Sequence, residues 1–466
     1  MKIKLLILLF ISSLSVTAQV ANQNVQDSLL IRQIFDEALS NGKSYDQLYF
    51  LCKSIGHRLT GSPQADDAID WAKEEIENYQ TTRIELQDVD ATKWIRGSAE
   101  EVRINGTINR RLDACALGGS IGTKGELRAE IIEIKGIKDL ENFKREDIEG
   151  KIVFFNEPMD PKLINTFNAY GACASQRYYG AVEAANYGAV AVFVRSLTTL
   201  TDEHPHTGSM SYKEGVEKIP AVAISTESAE FLHTDLLTTK VFGTLEMNCR
   251  TSEERASTHN LIGEIKGSEN PENIIVFGAH IDSWDKGEGA HDDGAGVVQC
   301  MEVLRLLNEV GYKPKNTLRM VLYMNEENGN RGGHAYATAA KEANENHIFA
   351  LETDRGGFSP RGFSIDGTTE QVDKIAVWSE LLKPYGLHYF EKGYGGVDIG
   401  PLKFKDNKIN PKLILIGLYP DPQRYFDYHH SDDDVFENVN QRELELGGAS
   451  LTSLVYLLDR YSTDFE

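Results

Sequence analysis

Basic charge, paired cysteines and long apolar runs are all scarce in this sequence. Its 466 residues carry 48 Lys plus Arg against 71 Asp plus Glu, a formal net charge of −23. A deficit of that size excludes a polyanion partner, because phosphates are held by clustered Lys and Arg. No nucleic-acid partner is expected. The five cysteines, Cys52, Cys115, Cys173, Cys249 and Cys300, are scattered and contain no Cys-x-x-Cys pair. A cysteine zinc site and a small disulfide scaffold are therefore not indicated. One or two disulfides remain open, with Cys300 expected to be buried on a helix. No segment reaches ~18 uninterrupted apolar residues, so no membrane anchor is expected. His-Glu-x-x-His, the motif of the helical zinc proteases, does not occur.

What is present has the composition of a globular protein, with 41% hydrophobic and 9% aromatic residues. At ~150 residues per domain, the length corresponds to two or three units. Met1-Lys2-Ile3-Lys4 is a basic start, Leu5 to Ile11 an apolar stretch, and Val16-Thr17-Ala18-Gln19 a cleavage pattern. Residues 1–18 read as a signal peptide, which makes the protein secreted or periplasmic.

A helix is expected from Asp27, taken as its N-cap, and another from Ser62-Pro63 towards Tyr79. Between 116 and 249 short apolar runs at 130–134, 151–155, 189–194 and 219–224 alternate with Gly-rich turns, with one helix near 180–187. This segment reads as a strand-rich domain inserted into another fold. From 259 onward strands and helices alternate: strands at 274–277, 317–324, 348–351 and 413–418, and an apolar helix at 295–310. The fold class is α/β, a mixed, largely parallel central sheet flanked by helices.

The residues that follow these strands carry the chemistry. They are Gly278-Ala279-His280-Ile281-Asp282, Asn325-Glu326-Glu327, Glu352-Thr353-Asp354 and the run from His429-His430 to Asp434. A loop, Gly289 to Gly296, opens the apolar helix and contains His291-Asp292-Asp293. Ligands bind outside the carboxyl ends of strands in open α/β sheets, so these side chains share one rim. His, Asp and Glu without Cys form a nitrogen–oxygen donor set suited to Zn²⁺, Mn²⁺ or Co²⁺. The donors are too many for one tetrahedral ion. Two divalent ions would balance three ligand carboxylates and one hydroxide, lower the pKa of water and polarise a carbonyl. Of the adjacent Glu326 and Glu327, one can ligate while the other acts as general base. Asp282 is placed to orient the His280 imidazole. Gly118-Gly119-Ser120-Ile121-Gly122 matches the serine-hydrolase Gly-x-Ser-x-Gly pattern, but strand rather than helix is expected after it.

With those motifs in this order, the sequence resembles the family of co-catalytic zinc exopeptidases that includes bacterial leucyl aminopeptidases and glutamate carboxypeptidases. The likeness extends to Trp94, Gly97, residues 117–123, Pro205-His206-Thr207-Gly208 and Lys218-Ile219-Pro220-Ala221, and so covers nearly the whole chain. It implies two Zn²⁺ ions, one held by His280 and Asp354, the other by Glu327 and His430, with Asp292 bridging both. It also implies Glu326 as general base and acid, and likens Tyr394 to a tyrosine that polarises the scissile carbonyl. The organisation it implies is a phosphorylase/hydrolase-like catalytic domain in two parts, 19–115 and 250–466, around a protease-associated domain at 116–249. That insert is expected to roof the site, with His206 a candidate substrate-wall residue. The expected partner is a short peptide, cleaved by a dipeptidase, aminopeptidase or carboxypeptidase activity, and a homodimer is the assembly implied. The rival readings are an amidohydrolase of N-acyl amino acids and a receptor-like relative without catalysis.

Overall fold

The computed structural model describes residues 24–98, 100–403 and 411–465. The signal peptide read at 1–18 lies outside the described residues. Among the described residues sixteen strands form two eight-stranded sheets. The first sheet contains β1 (Arg83–Ile95), and the second is built from β2 (Glu100–Asn105), β3 (Asn109–Leu112), β4 (Ala114–Ala116), β5 (Leu127–Ile134), β6 (Ile152–Phe155), β7 (Ala191–Arg195), β8 (Ala221–Ile224) and β9 (Phe242–Met247). The chain then returns to the first sheet with β10 (Arg250–Ile265), β11 (Asn270–His280), β12 (Asn316–Tyr323), β13 (Asn346–Glu352), β14 (Pro360–Asp366), β15 (Tyr389–Lys392) and β16 (Ile414–Pro420).

The first sheet runs β1-β10-β12-β11-β13-β16-β14-β15, and its centre β12-β11-β13-β16 is parallel. Every residue of β12 is buried. The helices Ala295–Glu309 and Gln441–Arg460 pack Val303, Leu304 and Leu454 against Phe277, Met320 and Leu351 on one face. On the other face Tyr336 and Ala340 of the helix Arg331–Glu342 meet Val276 and Val321. Two covered faces explain the unbroken apolar runs of these strands. Each buried Leu, Ile or Phe contributes ~1.5–3 kcal/mol.

The second sheet begins at Glu100, sixteen residues before the boundary read from the sequence. β3, at the edge, and β2 beside it are charged strands, Asn-Arg-Arg-Leu and Glu-Glu-Val-Arg-Ile-Asn, with too few apolar residues to stand out. Its centre, β5-β6-β7-β8, is parallel and carries helices on both faces. Ala181 and Ala184 of the helix Ser175–Asn186 pack on Phe155 and Val192, and Leu232 of the helix Thr226–Leu236 packs on Phe193 and Val222. The strand-rich reading of 116–249 omitted Thr226–Leu236 and Thr166–Cys173.

The Ser62 hydroxyl caps its helix by accepting the Ala65 N–H at 3.2 Å, with Pro63 in the first turn. Asp27 is not an N-cap. It lies inside a helix at 24–41, and its buried carboxylate accepts the hydroxyls of Tyr456 and Tyr461 and pairs with Arg460 at 2.8 Å. All five cysteines are buried and unpaired, so no disulfide forms. Ser120 is buried, with its hydroxyl accepting the Ala221 N–H and donating to the Ile121 carbonyl. That bonding leaves no exposed serine nucleophile there. Among the described residues no helix is long and apolar enough to cross a membrane.

Candidate active site

The four parallel strands end at one rim. β11 ends on His280, and β13 ends on Glu352, two residues before Asp354. After β12, Asn325 takes a left-handed φ of 70°, a conformation Asn tolerates better than most residues, and turns the chain so that Glu326 and Glu327 follow at the rim. Beyond β16 a helical turn, Tyr425–Tyr428, leads to His429 and His430. Asp292 comes from the loop before the helix Ala295–Glu309. Asp434 holds that loop by accepting the His291 N–H at 2.7 Å and the Asp292 N–H at 3.1 Å. Asp293 accepts the Gly296 N–H, and a Cβ at Gly296 would collide with the Thr353 carbonyl.

His280, Asp292, Asp354, Glu327 and His430 converge. His280 Nε2 lies 3.6 Å from Asp354 Oδ1 and 3.3 Å from Asp292 Oδ1. The other Asp292 oxygen lies 3.2 Å from His430 Nε2, which is 3.1 Å from Glu327 Oε2. Asp292 thus stands between two groups of donors. His280 Nε2, Asp292 Oδ2 and Glu327 Oε1 are buried and have no hydrogen-bond partner. Orphaned donor atoms clustered in this way are what bound cations would satisfy, and the nitrogen–oxygen set fits zinc. His429 is within reach as well, with Nε2 3.7 Å from Asp292 Oδ2 and its ring stacked on His430 at 3.5 Å.

The electrostatics of the cluster also call for positive charge. Burial disfavours a protonated His430, yet Glu327 and Asp292 outweigh it and lift the imidazole to about 9. His280 is raised in the same way by Asp292 and Asp354. Burial acts to raise Asp292, but the adjacent His280 and His430 imidazoles, 3.3 and 3.2 Å away, hold it well below the usual carboxylate range. Burial and the neighbouring Asp292 charge push Glu327 up to about 7. Protons on the two histidines stand where metal charge would be, so metal binding and proton release are coupled. Glu326, half-buried at the cavity wall, is pushed well above the usual range by burial, with Asp354 and Glu327 adding to it.

The remaining expected residues lie as follows. The Asp282 carboxylate is 3.8 Å from His280 Nδ1, and it is the Asp282 backbone carbonyl that takes this nitrogen's proton, at 2.9 Å. The carboxylate instead accepts the Glu326 N–H at 3.0 Å and the Thr60 hydroxyl at 2.9 Å. Tyr394 is 58% exposed at the cavity wall, on a loop fastened by Glu352, which accepts the N–H groups of Val397, Asp398 and Ile399. Burial and the charges of Glu352 and Asp354 raise its phenol above the ordinary value, which keeps its proton in place. His206 is not a wall residue. It is buried behind the site, where Nδ1 donates to the His429 carbonyl at 2.6 Å.

The cavity above the cluster has a volume of about 760 Å³. Phe167, Tyr170, Arg177, Tyr178 and Met210, all from the segment that builds the second sheet, form part of its wall. The sequence reading found none of them individually; only the expected roof anticipated their source. Tyr425, which donates to Asp354 at 3.4 Å, was also missed, although its neighbours His429 and His430 were named.

The sequence profile of Peptidase family M28 matches residues 260–453, which contain every converging donor. Carboxypeptidase Q of Bos taurus is 31% identical over 93% of this chain and 89% of its own length. The chain belongs to peptidase family M28. It is therefore a hydrolase of peptide bonds in a family of zinc peptidases, and its substrate is a peptide. The crystal structure of a peptidase M28 precursor from Shewanella amazonensis superposes with a TM-score of 0.87 at 31% identity, covering 94% of this chain and 97% of that one. A zinc aminopeptidase from Bacillus subtilis shares the fold, with a TM-score of 0.63 at 19% identity over 90% of this chain and 95% of its own.

Proposed function

We propose that this M28 peptidase is an exported dinuclear zinc exopeptidase acting on dipeptides and short peptides. The observation that carries the reading is the unbroken series Asp354–His280–Asp292–His430–Glu327, with Asp292 facing a histidine through each oxygen. His280 and Asp354 would hold one zinc, His430 and Glu327 the other, and Asp292 both. When bound, the ions supply Lewis acidity towards the peptide carbonyl and lower the pKa of water.

The chain's own residues do the rest. Glu326 takes a proton from water as its oxygen bonds to the carbonyl carbon, and passes it to the amine nitrogen as the C–N bond breaks. Asp282 fixes the Glu326 backbone, so the carboxylate has one direction of approach. The Tyr394 phenol, kept protonated at the cavity wall, would donate to the carbonyl oxygen. A walled cavity of about 760 Å³ suits a few residues of peptide better than a folded protein.

Glu326→Ala tests the assignment. Zinc content should stay at two per chain while kcat on dipeptides falls by ~10²–10⁴-fold. A variant that keeps substantial peptidase activity would remove Glu326 from the role.

A further inference from the structure

The two ends of the donor series are supported by different parts of the chain. At one end His280 Nδ1 donates to the Asp282 carbonyl at 2.9 Å, and Asp354 accepts the Tyr425 hydroxyl at 3.4 Å. Among the described residues, neither of these side chains bonds the segment that builds the second sheet. The end formed by His430 and Glu327 does.

Its support is the stretch Thr207-Gly208-Ser209, between β7 and β8. Thr207 is fully buried and grips His430 twice. Its N–H donates to the His430 carbonyl at 2.9 Å, and its own carbonyl accepts from His430 Nδ1 at 3.3 Å. The second bond leaves Nε2 as the nitrogen that faces the cluster. The Ser209 hydroxyl donates to the Glu327 carbonyl at 2.5 Å. Gly208, at a φ of 129°, permits the approach, since a Cβ there would lie 2.6 Å from His430 Nδ1. His430 itself has a φ of 65°, a conformation that persists outside glycine only where the surroundings impose it.

The stretch is in turn fastened from behind. Gly118 donates to the Gly208 carbonyl and accepts the Met210 N–H, each at 2.9 Å. The Thr207 hydroxyl donates to the Ala116 carbonyl at 2.8 Å and accepts from Arg96 Nη2 at 3.3 Å. Arg96 pairs with Asp285 at 2.6 Å, which ties this assembly to the loop after β11.

We propose that Thr207-Gly208-Ser209 is a positioning clasp for the His430–Glu327 metal position alone, so that the second sheet's segment sets the affinity of one zinc and not of the other. This rests on the dinuclear reading above. Supporting bonds of this kind orient a ligand and raise its affinity for the ion.

The test is zinc titration of the metal-free protein in competition with a chromogenic chelator. His430→Ala should abolish one of the two affinities and so mark which belongs to this end. Gly208→Ala should weaken that same affinity by ~10–100-fold, the usual effect of disturbing a ligand's support. The other affinity should move by no more than about twofold, as for an independent site. Ser209→Ala adds no bulk, should act on the same affinity by a smaller factor, and serves if Gly208→Ala does not fold. In a His430→Ala background neither substitution should change the affinity that remains. Equal losses at both positions, as general loosening of the fold would give, or unchanged affinities in both variants, overturn the proposal while leaving the dinuclear reading intact. A wild type that binds a single zinc overturns the dinuclear reading itself, and the clasp with it.

Discussion

Asp434 touches no proposed metal ligand side chain, yet its removal should be felt at the metal. Its two oxygens accept the N–H groups of His291 and Asp292 at 2.7 and 3.1 Å, in a fully buried setting. Asp434→Ala leaves both donors without an acceptor, at ~1–3 kcal/mol each. Together that is ~2–6 kcal/mol of strain and lost bonding in the segment that positions Asp292. Part of it will appear as lower stability and part as weaker metal binding, for which loss of a supporting hydrogen bond typically costs ~10–100-fold. Asp434→Asn keeps one acceptor oxygen and should fall between the wild type and the alanine variant. Zinc competition against a chromogenic chelator gives the affinity, and thermal unfolding with and without zinc separates the two contributions. An alanine variant with zinc affinity within about twofold of the wild type and an unchanged unfolding midpoint would refute the reasoning. In that case the loop would be held by its own packing and not by the carboxylate.

Two further outcomes follow from features away from the cavity. Burial and the neighbouring Glu302 push Glu445 up to about 7, so the folded state binds its proton more tightly than the unfolded chain does. Its contribution to stability is complete below about pH 4.5 and is lost as pH rises towards 7. Glu445→Gln should therefore match the wild type near pH 4 and exceed it by about 3 kcal/mol above pH 7 in denaturant titrations; equal stability at both values would contradict this. Asp27→Ala strips the buried acceptor from Tyr456, Tyr461 and Arg460, and should destabilise the fold by ~3–5 kcal/mol in the same assay. A loss below about 1 kcal/mol would mean that the first helix is held by its apolar face alone.

The central parallel strands were readable because both their faces are buried, which writes them as continuous apolar runs. β1 and β10 were not, since β10 opens with Arg-Thr-Ser-Glu-Glu-Arg and exposes much of that half. His280, Glu327 and Asp354 were found because they end or closely follow such strands, and Asp292 and His430 because their loops open the apolar helix or leave the last of those strands. Asp282 was assigned to His280 by its spacing. The turn after β11 presents its carbonyl to the imidazole and its carboxylate to Glu326, a distinction that residue type does not reveal. His206 lies beside the proposed ligands in space, but its proton goes to the His429 carbonyl, which makes it a brace. Arg177 and Tyr170 carry no local motif. Only the packing of one sheet's segment over the rim of the other gives them a place in the cavity.

The proposed metal donors all come from the segment that follows the strands of one sheet, and part of the cavity wall arrives from the other. The proposed donors, within 280–430, and the wall residues within 167–210 are thus encoded in stretches of chain that do not overlap. A new preference could arise, by drift or by grafting, through exchange of the shorter stretch alone. Members of such a lineage can keep one reaction and diverge in diet.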